Sequence, residues 1–213
     1  MNTRAMRRAE RRKERRKQQG RGSARSFPWF GALVVGIVVV LGILGLRAAG
    51  AFDALPSGPG VDPSRIKANV GTAVTPMEGT HIDLSASFSS YNTTPPNSGP
   101  HWSAQGRGPI AWSAYTTTQR NEGVVHNLEH GGVLIAYDPA LPQDQVDLLR
   151  ALRSRWPRDK YGVVKIIVEP YSGMDAKIAL TAWGYIDKMD AYDEQRILGF
   201  VRAHIDQGPE DAP

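Results

Sequence analysis

Hydrophobic residues in the second half of the chain recur at spacings that predict regular elements. The apolar run from Gly132 to Tyr137 is typical of a buried strand, and Asp138-Pro139 closes it. Pro142 to Trp156 predicts a helix, because proline suits a first turn and apolar residues then recur every three or four positions. These apolar positions are Val146, Leu149, Leu152 and Trp156.

Two more strands and a second helix are predicted downstream. Val163 to Glu169 and Ile178 to Tyr185 are the strand candidates, and residues 170–173 form a turn between them. Tyr192 to Ile205 predicts the last helix, with its apolar residues on one face. The order strand, helix, strand, strand, helix predicts an α+β domain in which two helices pack on a mixed sheet.

The part of the domain that precedes these elements has a different pattern. From Ser85 to Glu122, prolines and glycines interrupt the sequence so often that long helices or strands are not expected. The same segment is rich in aromatic residues, which disordered segments usually lack. We therefore expect a long, irregular but ordered Pro/Gly-rich segment ahead of the sheet.

An apolar stretch near the amino terminus predicts a transmembrane helix. Phe27 to Leu46 holds 20 residues without a charge, which matches a hydrocarbon core about 30 Å thick. Residues 1–25 carry 11 Lys or Arg and two acidic residues, so the positive-inside rule places the amino terminus in the cytoplasm. A cleaved signal peptide is the alternative, because Ala49-Gly50-Ala51 has the pattern of a cleavage site.

The sequence thus predicts a single-pass protein of the cell membrane, with its folded domain outside the cytoplasm. Its five predicted parts are a basic cytoplasmic tail at 1–26, a transmembrane helix at 27–46, a Pro/Gly linker at 47–64, the extracytoplasmic α+β domain at 65–206 and a disordered acidic tail at 207–213. The lipid bilayer is the first expected partner, and the basic tail is expected to contact anionic lipid.

The charge distribution and the lack of cysteine exclude several classes of partner and site. The formal charge is +5, but the residues after Arg25 carry 15 basic and 19 acidic side chains, a charge of −4. No nucleic-acid partner is therefore expected for the folded domain. The absence of cysteine excludes disulfides, thiolate nucleophiles, iron-sulfur clusters and cysteine-based zinc sites.

Two of the five histidines lie in the stretch His126–His130, with the sequence HNLEH, ahead of Gly131 and Gly132. Imidazole is the commonest metal ligand in proteins. In a helical turn the two His Cα atoms would lie about 6 Å apart, whereas in a strand they would lie about 13 Å apart. The stretch must therefore turn before the glycines if both rings are to bind one ion.

The candidate metal ligands are all histidines: His101, His126, His130 and His81. Pro100 restricts the backbone around it, so His101 would project from a stiff loop, as a metal ligand requires. Imidazole suits zinc or copper, and a thioether from Met77 or Met174 would favour copper(I). Two other roles remain open for these rings, namely hydrogen bonding to backbone carbonyls and direct proton transfer.

The HNLEH stretch also matches the His-x-x-Glu-His signature of inverted zinc peptidases. In that interpretation Glu129 would be the base that activates a metal-bound water, and Glu169 or Asp175 would supply a further carboxylate. The signature belongs on a sustained helix, whereas two glycines and a strand follow here. Glu129 is therefore expected either to orient a histidine from outside the ligand set or to accept hydrogen bonds from backbone amides, and it is catalytic only if the protein is a hydrolase.

Two long motifs and a shorter one resemble those of a known family. Tyr91–Trp102 (YNTTPPNSGPHW), Val125–Gly132 (VHNLEHGG) and Ile178–Gly184 (IALTAWG) are similar to signatures of a bacterial, membrane-anchored family catalogued as domain of unknown function 3105. The resemblance covers roughly His81 to Ile205 and implies an amino-terminal membrane segment. Tyr91, which opens the first motif, is expected, like Glu129, to support a metal ligand and not to bind the ion itself.

These features predict an extracytoplasmic domain, anchored in the membrane, that binds a metal ion or a small ligand through clustered histidines. One alternative is a non-catalytic cell-envelope module that contacts an unknown envelope protein. A further alternative is a metal-dependent hydrolase that uses Glu129. The first two interpretations do not require an enzyme.

Overall fold

The structure is a computed structural model that describes residues 60–213. The predicted basic tail, the predicted transmembrane helix and residues 47–59 of the predicted linker lie outside the described residues. Within the described range, no helix combines the length and apolar character that crossing a membrane requires.

Seven strands and three α-helices follow one another in the described part of the chain, after a short 3-10 helix at Pro63–Arg65. In chain order they are β1 (Thr72–Ala73), β2 (His81–Ile82), β3 (His101–Trp102), α1 (Asn121–Glu129), β4 (Val133–Tyr137), α2 (Gln143–Arg155), β5 (Ile166–Pro170), β6 (Ile178–Ala182), β7 (Tyr185–Met189) and α3 (Glu194–His204).

Five of the strands form one mixed sheet in the order β1-β7-β6-β4-β5, which confirms the predicted α+β class. Within this sheet only β4 and β5 pair in parallel, and α2 connects them, as a parallel connection requires. Every residue of β4, β5 and β6 is buried, which explains why these strands appear in the sequence as nearly continuous apolar runs.

The two faces of the sheet pack against different elements. Alternate residues of β4 point to opposite sides, so Val133 and Ile135 join the cluster with α2 and α3, while Leu134 joins the cluster with α1. The two predicted helices thus lie on one face. The opposite face carries α1 and aromatic residues from the irregular segment. The four candidate histidines lie on this side.

The sequence predicts two helices, whereas the described residues form three α-helices, because α1 was not expected as a helix. Eight of its nine residues are buried. A helix that is buried on all sides shows no amphipathic stripe, and Gly123 within it further obscures the pattern.

The prediction of a single strand from Ile178 to Tyr185 is also wrong. The chain reverses at Trp183-Gly184 and continues as β7, which pairs antiparallel with β6. Gly184 has a φ of 77°, a left-handed conformation that glycine adopts without steric cost. The apolar residues continue through this turn, so no change in hydropathy marks it.

The irregular segment is held in place by backbone hydrogen bonds. Tyr115 N–H donates to the Val168 carbonyl at 2.7 Å, and Val168 N–H donates to the Ser113 carbonyl at 3.1 Å. The segment therefore covers the outer edge of β5, which would otherwise present unpaired backbone groups. Most of Ser85–Glu122 has no regular secondary structure, as its prolines and glycines predict.

Residues 207–213, which the sequence predicts as a disordered acidic tail, lie against the end of α1. Glu210 N–H donates to the Glu129 carbonyl at 3.0 Å, and the Tyr161 hydroxyl donates to the Asp211 carbonyl at 2.9 Å. Their polar composition conceals this packing because the contacts are made largely through backbone atoms.

Candidate metal centre

Helix α1 places three candidate residues on its last turn. His126 and Glu129 are three residues apart and therefore project from the same side of the helix, and His130 is the residue that caps it. The helix stops there because Gly131 has a φ of 78°, which ends the α-helical path. The turn before the glycines that the histidine spacing requires is therefore present.

The short parallel pair β2–β3 brings the other two histidines to this turn. His81 is directly opposite His101 in the register of the pair, and their ring centroids are 4.8 Å apart. His101 N–H donates to the Thr80 carbonyl at 3.0 Å, which fixes the pairing. Three segments that are distant in sequence thus converge on one side of the sheet.

Four side chains form what we call the inner group: His81, His101, His126 and Glu129. Each offers one ligand atom, and all four atoms lie within 4.8 Å of one another. Glu129 Oε2 lies 2.8 Å from His101 Nε2 and 3.5 Å from His81 Nε2. His101, His126 and Glu129 are buried, whereas the side chain of His81 is 47% exposed, so the group opens to solvent at His81.

His130 belongs to a second, overlapping set, which we call the outer group: His126, His130 and Glu210. The Nε2 atoms of His126 and His130 are 2.9 Å apart, and Glu210 Oε2 lies 3.4 Å from His130 Nε2. The structure therefore brings all four predicted histidines together, but it divides them into two groups that share His126. Sequence reasoning did not identify Glu210, because it was assigned to a disordered tail.

Backbone carbonyls orient the two buried rings of the inner group. His101 Nδ1 lies 2.9 Å from the Gly99 carbonyl oxygen, and His126 Nδ1 lies 2.5 Å from the Trp102 carbonyl oxygen. A carbonyl only accepts, so each neutral ring carries its hydrogen on Nδ1 and directs the lone pair of Nε2 into the group. This is the usual arrangement of histidines that bind a metal.

One contact in the inner group joins two acceptors whenever the His101 ring is neutral. His101 Nε2 is buried and has no hydrogen-bond partner among the described residues, although Glu129 Oε2 is 2.8 Å away. With the ring hydrogen on Nδ1, both facing atoms are acceptors. A cation bound between them satisfies both.

Electrostatics keep His126 in the form that binds metal. Burial lowers the pKa of His126 below its ordinary value of 6.5, and the hydrogen bond to the Trp102 carbonyl opposes this effect. The neighbouring His130 and His101 lower the pKa further. His126 is therefore neutral at neutral pH, with its Nε2 lone pair available.

Two residues outside the predicted set shape the wall beside Glu129. A Cβ atom added at Gly79 would lie 2.7 Å from Glu129 Oε1 and 3.0 Å from the Trp183 ring, so only glycine fits there without displacing them. The Trp183 ring stands perpendicular to the His101 ring at 6.2 Å. Trp183 occurs in the IALTAWG motif, which was the one sequence signal for its role; Gly79 had none.

Tyr91 supports the loop that carries His101. Its hydroxyl donates to the Pro100 carbonyl at 2.8 Å, and its ring meets Phe88 edge to face at 4.8 Å. This contact fixes the backbone immediately before His101. Tyr91 therefore acts on the group through the loop rather than through a histidine.

The other residues considered for a peptidase lie elsewhere. Glu169 accepts a hydrogen bond from Gln119 N–H at 2.8 Å, and Asp175 pairs with Lys188 at 2.6 Å. Met174 packs with the apolar cluster beneath α1. Glu129, the candidate base, has its carboxylate oxygen within the inner group itself, 2.8 Å from His101 Nε2.

A comparison with protein-family models matches residues 81–213 to the family described as "Protein of unknown function (DUF3105)". No curated protein and no solved structure matches the chain. The matched range begins at His81 and includes every residue of the inner and outer groups.

Proposed function

The chain belongs to the DUF3105 family, whose function is unknown, and on that premise we propose that it binds one transition-metal ion, zinc or copper, at the inner group. The observation that carries the proposal is the contact between His101 Nε2 and Glu129 Oε2. When the His101 ring is neutral with its hydrogen on Nδ1, these two buried atoms are both acceptors, and they lie 2.8 Å apart. A metal ion provides the positive charge that both atoms need.

The donor set suits zinc or copper(II). Three imidazole nitrogens and one carboxylate oxygen make four ligands, the number found in tetrahedral zinc sites. Bonds of about 2.0–2.1 Å would place tetrahedral ligands about 3.3–3.4 Å apart. The distances of 2.8 Å and 3.5 Å around Glu129 Oε2 lie on either side of that value. Nitrogen and oxygen donors favour copper(II) over copper(I).

The same geometry favours reversible binding over hydrolysis. A catalytic zinc site keeps one position for water and has a separate base, whereas here Glu129 completes a set of four protein ligands. His81 is the ligand with the most exposed side chain, so it can leave and return while the other three remain packed. The proposed role is therefore capture and release of an ion.

In this proposal the site faces the outside of the cell membrane. The support comes from the sequence: 20 uncharged residues at 27–46 follow a tail with 11 basic residues. The basic tail would contact anionic lipid on the cytoplasmic side. Membrane fractionation of cells that express the full chain tests this placement. The protein should pellet with membranes and its domain should be digested by protease added to intact spheroplasts; recovery in the soluble fraction would contradict it.

Metal analysis of the full-length protein, purified in mild detergent and dialysed against zinc or copper(II), tests the proposed site. The expected result is one ion per chain, with an X-ray absorption spectrum that fits nitrogen and oxygen ligands at about 2.0–2.1 Å. His101→Leu, which removes an inner ligand, should lower the affinity for the ion at least about tenfold, whereas His204→Gln, which changes the fifth histidine, should leave it unchanged. A folded wild-type protein that binds neither metal would overturn the proposal.

A further inference from the structure

We infer that the outer group is a second cation position, which takes the same class of divalent metal and alternates with the inner group. The inference rests on the proposed function, because it concerns where else the same ion can bind. His126, His130 and Glu210 offer three ligand atoms within 4.8 Å of one another.

The contact between His126 and His130 carries the inference. His130 Nδ1 lies 2.9 Å from the main-chain oxygen of Pro213, and His126 Nδ1 lies 2.5 Å from the Trp102 carbonyl oxygen; both oxygens only accept. Each neutral ring therefore holds its hydrogen on Nδ1. Their Nε2 lone pairs then face each other at 2.9 Å, an arrangement that a cation bound to both rings stabilises.

Glu210 is positioned by the backbone rather than by chance contact. Its N–H donates to the carbonyl of Glu129, a ligand of the inner group, at 3.0 Å. Asp206 N–H donates to the Gly131 carbonyl at 2.8 Å, so the segment is paired with the end of α1 at two points. This pairing holds Glu210 Oε2 at 3.4 Å from His130 Nε2.

Lys165 is a positioning residue for the outer group. Its buried ammonium donates to the His130 carbonyl at 3.0 Å and pairs with Asp206 at 2.8 Å. The Lys165 ammonium thus connects His130 to the segment that carries Glu210. A buried lysine must have such partners, because an unpaired charge there would be strongly destabilising.

The shared ligand determines how the two positions relate. His126 can offer only Nε2, because its Nδ1 donates to Trp102. One lone pair binds one ion at a time, so the positions are filled alternately and the chain holds one ion in total. The inner group reaches solvent at His81, which is 47% exposed, and the outer group reaches it at Glu210, which is 49% exposed. An ion can therefore enter at one surface and leave at the other by exchanging ligands around His126.

Zinc titration of full-length variants tests the second position. His81→Ala with Glu129→Gln disables the inner group, since one side chain is half exposed and the other change is nearly isosteric, and the outer group keeps all its ligands. This double variant should bind one zinc ion at least about tenfold more weakly than wild type. Adding Glu210→Ala should abolish the remaining binding. Adding Asp211→Ala, the matched control one residue away, should not, because its pair with Lys160 is exposed and contributes little.

The remaining outcomes distinguish a failure of the second position from a failure of the proposed function. If wild type binds one ion and the double variant binds none, the second position does not exist, although the inner site does. The same conclusion follows if residual binding is indifferent to Glu210→Ala. In wild-type background, Glu210→Ala should retain one ion at the inner group. A wild-type protein that binds no zinc overturns the proposed function, and the second position with it.

Discussion

Four imidazole rings lie in one cluster. The centroids of His81, His101 and His126 form a triangle with sides of 4.8 Å, 4.9 Å and 5.5 Å, and the His130 centroid lies 4.5 Å from that of His126. Three of these rings direct Nδ1 to a main-chain oxygen, and the acceptors are Gly99, Trp102 and Pro213. The backbone therefore selects the tautomer of each ring and leaves Nε2 for an ion. Ligand chemistry at this site depends on main-chain geometry as much as on residue type.

Gly79→Ala should weaken zinc binding without unfolding the domain. The new methyl group would lie 2.7 Å from Glu129 Oε1 and 3.0 Å from the Trp183 ring, so the carboxylate must move from its place beside His101. We expect zinc affinity to fall by about 10- to 100-fold, as when a supporting partner of a ligand is lost. Competition with a chromophoric chelator measures this change. Gly60→Ala, where an added Cβ meets only one atom at 3.9 Å, is the control; equal affinities in the two variants would contradict the assignment of Glu129.

Glu169 should make the metal-free domain less stable as pH rises. Burial raises the pKa of Glu169 from 4.5 to about 7, although the hydrogen bond from Gln119 N–H opposes this. The unfolded chain releases the proton near pH 4.5 and the folded chain only near pH 7, so stability falls between these values and is constant above them. The shift corresponds to about 3 kcal/mol.

Urea unfolding of wild type and Glu169→Gln, both in EDTA, measures this effect. The free energy of unfolding of the variant, minus that of wild type, should rise between pH 4.5 and pH 7 and then level off. A difference that does not change with pH would show that the carboxylate is solvated or paired in the folded state.

Residue type located the candidate histidines, because histidine is rare here and three of its five occurrences fall in the motifs quoted above. Residue type could not reveal Gly79, whose role is to leave space, or the division of the histidines into two groups. That division depends on carbonyl positions, which any residue can supply. Glu129 was assigned a supporting role because the distance between helix and loop is not encoded in its own motif.

At the scale of elements, the site depends on three short pieces: the last turn of α1, the two-residue pair β2–β3 and the segment 206–213. The longer elements were predictable, since β4 and β5 are nearly continuous apolar runs and α2 and α3 follow the helical period. The short pieces were not, because two-residue strands have no period and α1 is buried on all sides. The candidate site therefore depends on the elements that sequence patterns predict least well.

Gly208→Ala should detach the segment that carries Glu210. An added Cβ would lie 2.2 Å from both the Glu129 carbonyl oxygen and Gly131 N, and backbone atoms cannot move aside as a side chain can. We expect a loss of about 1–3 kcal/mol in the free energy of unfolding and faster proteolysis after residue 206. Zinc should still bind at the inner group with one ion per chain. Unchanged proteolysis would show that the segment is not packed against α1.

The whole domain joins segments that are far apart in sequence, and the metal would connect them. His81, His101 and His126 come from three separate stretches, and the irregular segment between them lacks the long helices and strands that stabilise the sheet. An ion that binds only the folded chain stabilises it in proportion to the logarithm of its free concentration. Metal binding should therefore stabilise the face that carries α1.

Calorimetry with zinc and with EDTA tests this coupling. At a free zinc concentration 100 times the Kd, the expected stabilisation is about 2.7 kcal/mol. In a domain of about 150 residues this corresponds to a rise in Tm of about 5–10 °C. At the same free zinc concentration the rise should be smaller in His101→Leu; an equal rise in that variant would mean that zinc acts elsewhere on the chain.

Isothermal titration of zinc into the full-length protein and its His126→Gln variant tests the central claim most directly, because His126 belongs to both groups. The account predicts one ion per chain for wild type and an affinity at least about tenfold lower for the variant, because each group loses a ligand. His204→Gln is the control; that ring lies 3.0 Å from the Val70 carbonyl oxygen, away from both groups, and the variant should still bind one ion. Zinc binding by His126→Gln with wild-type affinity, or no binding by a folded wild-type protein, would contradict the account.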